Sequence, residues 1–126
     1  MITDRQIEDA KLVTKYAHKV QVHEHEDCIK IAYEWLDAQR KTKNVTRKSL
    51  PLKHIIENWG GRYVSQSDVE VAATIHPEIF GDYPYYNING NLTEPSDTRL
   101  DGISEACTQQ QRNLYDSNNY KFKEKS

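Results

Sequence analysis

The sequence predicts a mainly α protein: a small helical domain with a short β element near its middle and a pair of helices at its N-terminus. Apolar residues recur at intervals of three and four along much of the chain, which is the spacing of an amphipathic helix. Glycine and proline divide these segments after residue 49, and 126 residues suit one domain. We predict one domain over 1–107, with N-terminal helices at 4–43 and a second helical part at 49–107. A flexible polar tail is predicted at 108–126.

Two helices are predicted before residue 43. Thr3 and Gln6 match a capping box at the start of the first helix. Its apolar face consists of Ile7, Ala10, Val13, Ala17 and Val20. The face of the second helix consists of Cys28, Ile31, Ala32, Trp35 and Ala38, and basic residues follow near its end. The polar stretch 23–27 separates the two faces without a glycine or proline, so one long helix is the alternative to two antiparallel helices. The pair forms either within one chain or between two copies in a homodimer.

Two further helices are predicted in the middle of the chain. The third begins at Ser49-Leu50-Pro51, where the missing N–H of proline costs no hydrogen bond, and ends at Gly60-Gly61. Its buried face consists of Leu52, Ile55, Ile56 and Trp59. Ser67 and Glu70 predict a capping box for the fourth helix, which Pro77 interrupts.

The segment after the fourth helix is rich in aromatic residues, with four between Phe80 and Tyr86. Asn89-Gly90 is typical of a two-residue hairpin turn, but residues 86–93 suit a short helix equally well. A last helix is predicted at Ser96–Cys107. Its inward positions would be Leu100, Ile103 and Ala106.

Charge is divided between two neighbouring segments, although the net charge is only −2. Residues 38–62 hold seven basic residues and one acidic residue, whereas residues 63–98 hold six acidic residues and no lysine or arginine. The basic set, which would contact DNA phosphates, is Arg40, Lys41, Lys43, Arg47, Lys48, Lys53 and Arg62. Tyrosines beside carboxylates are typical of a surface that binds a basic protein. The predicted partner-binding residues are Glu78, Phe80, Asp82, Tyr83, Tyr85, Tyr86, Glu94 and Asp97.

A zinc site is a further hypothesis, because imidazole and thiolate groups fall within eleven residues of sequence. The residues concerned are His18, His23, His25 and Cys28. Neither a helix nor a strand places all four on one face, so we predict no metal and no other cofactor. The spacings of nucleophile and phosphate-binding motifs are absent from the sequence, and we predict that the protein is not an enzyme.

The sequence also bears on where the protein acts. It has no apolar run long enough to span a membrane, and its first residues lack the pattern of a secretion signal. Two cysteines far apart in such a chain are expected to stay thiols. We therefore expect a cytoplasmic protein without membrane contact.

Residues 55–69, IIENWGGRYVSQSDV, have the order helix, short strand and capped helix. This order resembles the helix-turn-helix and winged-helix family over about residues 50–104. The resemblance implies a winged-helix-like centre and a DNA-binding transcriptional regulator. In this resemblance the segment 87–101 would read DNA, but it holds three acidic residues and one basic residue, Arg99. Because DNA phosphates repel negative charge, this composition disfavours DNA reading by the segment.

A short chain without catalytic motifs also looks like an accessory protein of a phage or mobile element. That resemblance implies an inhibitor of a host defence or nucleic-acid-processing protein, acting in the host cell cytoplasm. The favoured hypothesis is thus a non-enzymatic interaction protein whose acidic, tyrosine-rich face binds a basic, nucleic-acid-handling protein. DNA-binding regulation and zinc binding are the alternatives.

Overall fold

The computed structural model describes residues 2–18 and 21–125; Met1, Lys19, Val20 and Ser126 lie outside this part of the chain. Its α-helices are α1 (Asp4–Lys11), α2 (Glu26–Ala38), α3 (Leu52–Gly60) and α4 (Gln66–Ile75). Its strands are β1 (Gly81–Asp82), β2 (Tyr85–Tyr86), β3 (Thr93–Glu94) and β4 (Phe122–Lys123). Short 3-10 helices occupy Asp97–Leu100, Gln110–Leu114 and Ser117–Asn119. The mainly α class is therefore confirmed.

The core lies between α2, α3 and α4. Helix α4 packs against α1 and α2, and seven of its ten residues are buried. Helix α3 packs against α2 and against the 3-10 helix Gln110–Leu114. Trp35 on α2 and Trp59 on α3 are fully buried, and the burial of such large side chains is a main source of stability. In the described part of the chain, no helix has both the length and the apolar character needed to cross a membrane.

Helix α1 is shorter than the predicted first helix. Val13 and Ala17, two predicted core positions, are exposed, and Val20 lies outside the described residues. Beyond α1, the backbone N–H of Ala17 donates a 2.8 Å hydrogen bond to the carboxylate of Glu70 on α4. Two separate helices thus precede residue 43, and they contact each other within the single chain.

Helix α4 begins two residues earlier than predicted. Its capping box pairs Ser65 with Asp68: each side chain accepts a 3.1 Å hydrogen bond from the other residue's backbone N–H. The predicted pair, Ser67 and Glu70, instead accepts hydrogen bonds from the α1–α2 linker, which we define as residues 12–18 and 21–25. Ser67 and Glu70 therefore contact a distant part of the chain, although the local pattern predicts them as a helix cap.

Helices α2 and α3 follow the sequence more closely. The predicted face of α2 is buried except for the half-buried Ala38, and the side chain of His25 caps its first turn. The basic residues expected near its end lie beyond it, and its last turn contains none. Helix α3 ends as predicted at the glycine pair: its last residue is Gly60 and its C-cap is Gly61, whose φ of 65° suits glycine. A Cβ at Gly61 would also lie 2.8 Å from the Cα of Cys107.

The region 86–93 forms neither of the two predicted structures. The hairpin lies earlier, where β1 and β2 pair antiparallel around the Tyr83-Pro84 turn, and Ile88 makes an isolated bridge with Lys41. The predicted helix Ser96–Cys107 is reduced to the 3-10 turn Asp97–Leu100, because Asp101 is extended and Gly102 has a φ of 83°. Its inward positions Leu100 and Ile103 are nevertheless buried, and Ala106 is half-buried.

The 108–126 segment, predicted as a loose tail, lies against the helices over its described residues. Strand β4 pairs in parallel with β3, and the hydroxyl of Tyr120 accepts a 3.0 Å hydrogen bond from Nε1 of Trp35. The polar composition of the segment predicts disorder. Three aromatic residues nevertheless attach it to the rest of the domain: Tyr115 and Tyr120 pack against the core, and Phe122 lies in β4.

Candidate protein-binding surface

The β1–β2 hairpin projects beside the C-terminal half of α4 and is held by one buried amide. Asn87 accepts a 2.7 Å hydrogen bond from Phe80 N–H through Oδ1 and donates through Nδ2 to the carbonyls of Glu78 and Thr42. Gly81 has a φ of 116°, and a Cβ there would lie 2.3 Å from the Tyr85 carbonyl oxygen. The hairpin conformation therefore depends on Asn87 and Gly81, two residues that the sequence analysis did not single out.

The four predicted aromatic anchors divide into two classes. Phe80 and Tyr85 are exposed by 53% and 42%. Tyr83 is half-buried, and its hydroxyl accepts a 3.1 Å hydrogen bond from Lys53 N–H. Tyr86 is only 2% exposed, so its ring packs in the core and is not an exposed anchor. Burial raises the pKa of both the Tyr83 and the Tyr86 phenols.

A cavity of about 240 Å³ lies between the hairpin, α4 and the α1–α2 linker. Its wall includes four predicted partner-binding residues, Phe80, Asp82, Tyr83 and Tyr86. The linker contributes Val13, which is 70% exposed, and α4 contributes Glu70. The structure thus gathers part of the predicted set around one concave, partly apolar opening.

The predicted acidic residues are not all brought to this opening. Glu78 and Asp82 are exposed, and within the described residues neither forms an ion pair. Glu94 accepts a hydrogen bond from the Tyr115 hydroxyl, and Asp97 forms a 3.1 Å ion pair with Arg112. These two acids line a different, polar cavity beside the C-terminal segment. Glu94 and Asp97 therefore do not belong to the surface at the hairpin.

Most of the predicted basic residues have partners inside the molecule. Lys53 pairs with Glu57 at 3.1 Å, and Arg62 pairs with Glu105 at 3.0 Å. The guanidinium carbon of Arg40 lies 3.6 Å from the centre of the Phe122 ring in β4, which is a cation–π contact. Lys41 donates to the carbonyl of Asp37, and burial lowers the pKa of its ammonium group.

The remaining basic residues are Lys43, Arg47 and Lys48, which are exposed and form no ion pair with any other described residue. Their loop runs alongside the hairpin: Thr42 N–H donates to the Asn87 carbonyl and Thr46 N–H donates to the Tyr86 carbonyl. The basic and acidic segments therefore meet at the hairpin instead of occupying separate faces.

Three of the four zinc-ligand candidates make other contacts. Nδ1 of His23 lies 2.8 Å from Oδ1 of Asp68, and the ring of His25 accepts a hydrogen bond from Asp27 N–H. Cys28 is buried, and burial raises the pKa of its thiol to about 11, which disfavours the thiolate that zinc requires. His18 is exposed. Over residues 2–18 and 21–125, no three His, Cys, Asp or Glu side chains are grouped as metal ligands.

One hydrogen-bonded chain has the residue types of a catalytic triad. The hydroxyl of Tyr16 lies 3.1 Å from Nε2 of His23, whose other nitrogen contacts Asp68. Burial, with the negative charges of Glu70 and Asp68, raises the pKa of the Tyr16 phenol. This hydrogen-bonded chain connects Tyr16 and His23 of the α1–α2 linker to Asp68 on α4.

Residues 55–69, on which the winged-helix resemblance rests, lie in α3, in the connection 61–65 and at the start of α4. Residues 62–64 are not paired as a strand. The segment 87–101, which would read DNA, contains β3 and the 3-10 helix Asp97–Leu100. No protein-family model, curated protein or solved structure matches the chain.

Proposed function

We propose that this chain is a non-enzymatic interaction protein that binds a partner protein through the surface at the β1–β2 hairpin. We define the hairpin surface as Val13, Glu78, Phe80, Asp82 and Tyr85 together with the adjoining cavity, whose wall includes Val13, Phe80 and Asp82. The observation that carries the proposal is that three large apolar or aromatic side chains of this set are exposed, and that two of them, Val13 and Phe80, line a concave opening. Exposed aromatic residues beside a pocket are typical of binding hot spots.

The charges of the hairpin surface indicate the kind of partner. Glu78 and Asp82 are exposed acids without an ion pair among the described residues, so a basic protein surface complements them. A nucleic-acid-handling protein is one source of such a surface. An inhibitor of a host defence or nucleic-acid-processing protein is the narrower form of this function that the accessory-protein resemblance implies.

The double variant Phe80→Ser with Tyr85→Ser is expected to reduce partner binding at least tenfold, because it removes both exposed aromatic anchors. Partner capture from cell extract, quantified by mass spectrometry and then by titration of the captured protein, measures the effect. The matched control is Leu114→Ser, since Leu114 is 72% exposed and lies on another element. Equal capture by the double variant and the wild type would exclude the hairpin surface as the binding site.

DNA binding is the second candidate function, and the exposed loop with Lys43, Arg47 and Lys48 supports it. Changing these three residues to glutamine is expected to weaken retention on duplex DNA and to reduce the slope of log affinity against log salt by about 3. The control changes the exposed Lys121, Lys123 and Lys125 to glutamine, which removes the same charge elsewhere. Retention that does not vary with salt in the wild type removes this candidate.

A further inference from the structure

A buried carboxylate lines the cavity of the hairpin surface. Glu70 on α4 is 5% exposed, and its Oε2 accepts a 2.8 Å hydrogen bond from Ala17 N–H. Within the described residues it has no ion pair with a lysine, arginine or histidine. Desolvating a carboxylate is costly unless a cation or several hydrogen-bond donors compensate it. Among the described residues, the Glu70 carboxylate therefore has the Ala17 N–H as a hydrogen-bond donor and no cationic side chain as a partner.

The charge of Glu70 acts on the aromatic part of the cavity wall. Burial is the largest cause that raises the pKa of the Tyr86 phenol, and the negative charge of Glu70 is the next largest. The Glu70 charge also raises the pKa of the Tyr83 phenol. The wall thus combines a carboxylate with the rings of Phe80, Tyr83 and Tyr86. Aromatic faces attract cations, and a nearby carboxylate strengthens that attraction.

We propose that this cavity accepts a lysine or arginine side chain of the partner, with the cationic group against Glu70 and the aliphatic stem along the aromatic wall. The inference rests on the proposed function and names the anchor that the partner supplies. The cavity volume of about 240 Å³ is several times the roughly 30 Å³ that one water occupies in the liquid. Asp82 on the wall adds a second negative charge.

Lys15 in the α1–α2 linker also lines the cavity and is exposed. Its positive charge opposes the entry of a cation, so Lys15→Gln is expected to strengthen cation binding by about two- to threefold, the size typical of a screened surface charge. A gain of binding cannot result from a loss of folding. This variant therefore tests the electrostatics of the site independently of structural damage.

The experiment titrates uniformly ¹⁵N-labelled protein with N-acetyl-arginine amide and N-acetyl-lysine amide and records amide chemical shifts. N-acetyl-citrulline amide, which has nearly the shape of the arginine probe without its charge, is the control. The cationic probes are expected to shift the amides of Gly81 and Thr74 saturably, with about fivefold tighter binding than citrulline. Glu70→Gln retains an acceptor for Ala17 N–H and is expected to remove this preference.

Equal binding of the arginine and citrulline probes would overturn the inference, as would the absence of saturable shifts up to the solubility limit of the probes. The result is separable from the proposed function. If the Phe80 and Tyr85 changes abolish partner capture while the wild type shows no charge preference, the hairpin surface binds a partner without a cationic anchor. If the probes bind as expected but those changes leave capture intact, the partner binds elsewhere.

Discussion

Replacing Trp35 with alanine is expected to lower the free energy of unfolding by about 3–5 kcal/mol, a large part of the roughly 5–15 kcal/mol typical of a domain. Trp35 is fully buried on α2. Its truncation removes a large apolar side chain and leaves a cavity that the surrounding helices fill only in part. The substitution also removes the Nε1–H group that donates a hydrogen bond to the Tyr120 hydroxyl. We therefore expect it to loosen the attachment of the C-terminal segment.

Urea unfolding followed by far-UV circular dichroism measures this loss. Trp35→Phe is the matched control, because it keeps most of the apolar volume but deletes the Nε1–H group. It is expected to cost about 1–2 kcal/mol, as does Tyr120→Phe, which deletes the other half of the hydrogen bond. A midpoint for Trp35→Ala equal to that of wild type would show that α2 does not pack as described.

The second large effect is expected at Arg99, which joins the C-terminal segment to α2. Its guanidinium lies 2.6 Å from Glu124, 2.9 Å from Asp37 and 3.0 Å from Glu34. Nε2 of His76 adds a 2.8 Å contact to Asp37. Hydrogen bonds to Glu124 and Asp37 raise the pKa of Arg99, so the group is cationic at every accessible pH.

Arg99→Met is expected to lower the free energy of unfolding at pH 7 by about 2–3 kcal/mol, because three carboxylates lose their shared cation. The effect should depend on pH. The Arg99 hydrogen bond lowers the pKa of Glu124 from its ordinary 4.5 despite partial burial. Burial raises the pKa of Asp37, but hydrogen bonds from His76 and Arg99 outweigh it and hold that pKa below 3.8.

A carboxylate with a lowered folded-state pKa stabilises the protein above its unfolded pKa, and this stabilisation is lost as the pH falls through the folded value. The difference between wild type and Arg99→Met is therefore expected to begin to shrink as the pH falls below 4.5, the ordinary value for Glu124, and to shrink further below 3.8, the ordinary value for Asp37, in urea unfolding at a series of pH values. Arg5→Met is the control: its pair with Asp9 is 3.9 Å long and exposed, so it should cost less than about 0.5 kcal/mol. A pH-independent difference would contradict this role for Arg99.

The candidate site was predictable in part. The cluster of aromatic residues in 80–86 is visible in the sequence, and the structure places Phe80 and Tyr85 on the surface there. Composition could not distinguish them from Tyr86, because whether a ring faces the core depends on what packs beside it. The local sequence pattern predicts Glu70 as a helix cap, and only the contact of the α1–α2 linker with α4 places it in a cavity wall.

The sequence also did not predict that the C-terminal segment is ordered against the helices. A segment rich in glutamine, asparagine and lysine is typically loose, and nothing local indicates that Tyr120 meets Trp35 or that Glu124 meets Arg99. Each of these contacts joins residues at least 25 positions apart. No pattern within a window of one helix carries that information.

The sequence by itself determined the mainly α class, the buried faces of α2 and α3 and the stop at Gly61, because periodicity and glycine conformation are properties of neighbouring residues. Only the tertiary structure decided where α1 ends, which serine caps α4, where the hairpin forms and which charges stay exposed. The physical reason is that backbone and carboxylate groups are satisfied by whichever partner the fold brings near. In this chain those partners are often more than forty residues away, as for Ala17 and Glu70.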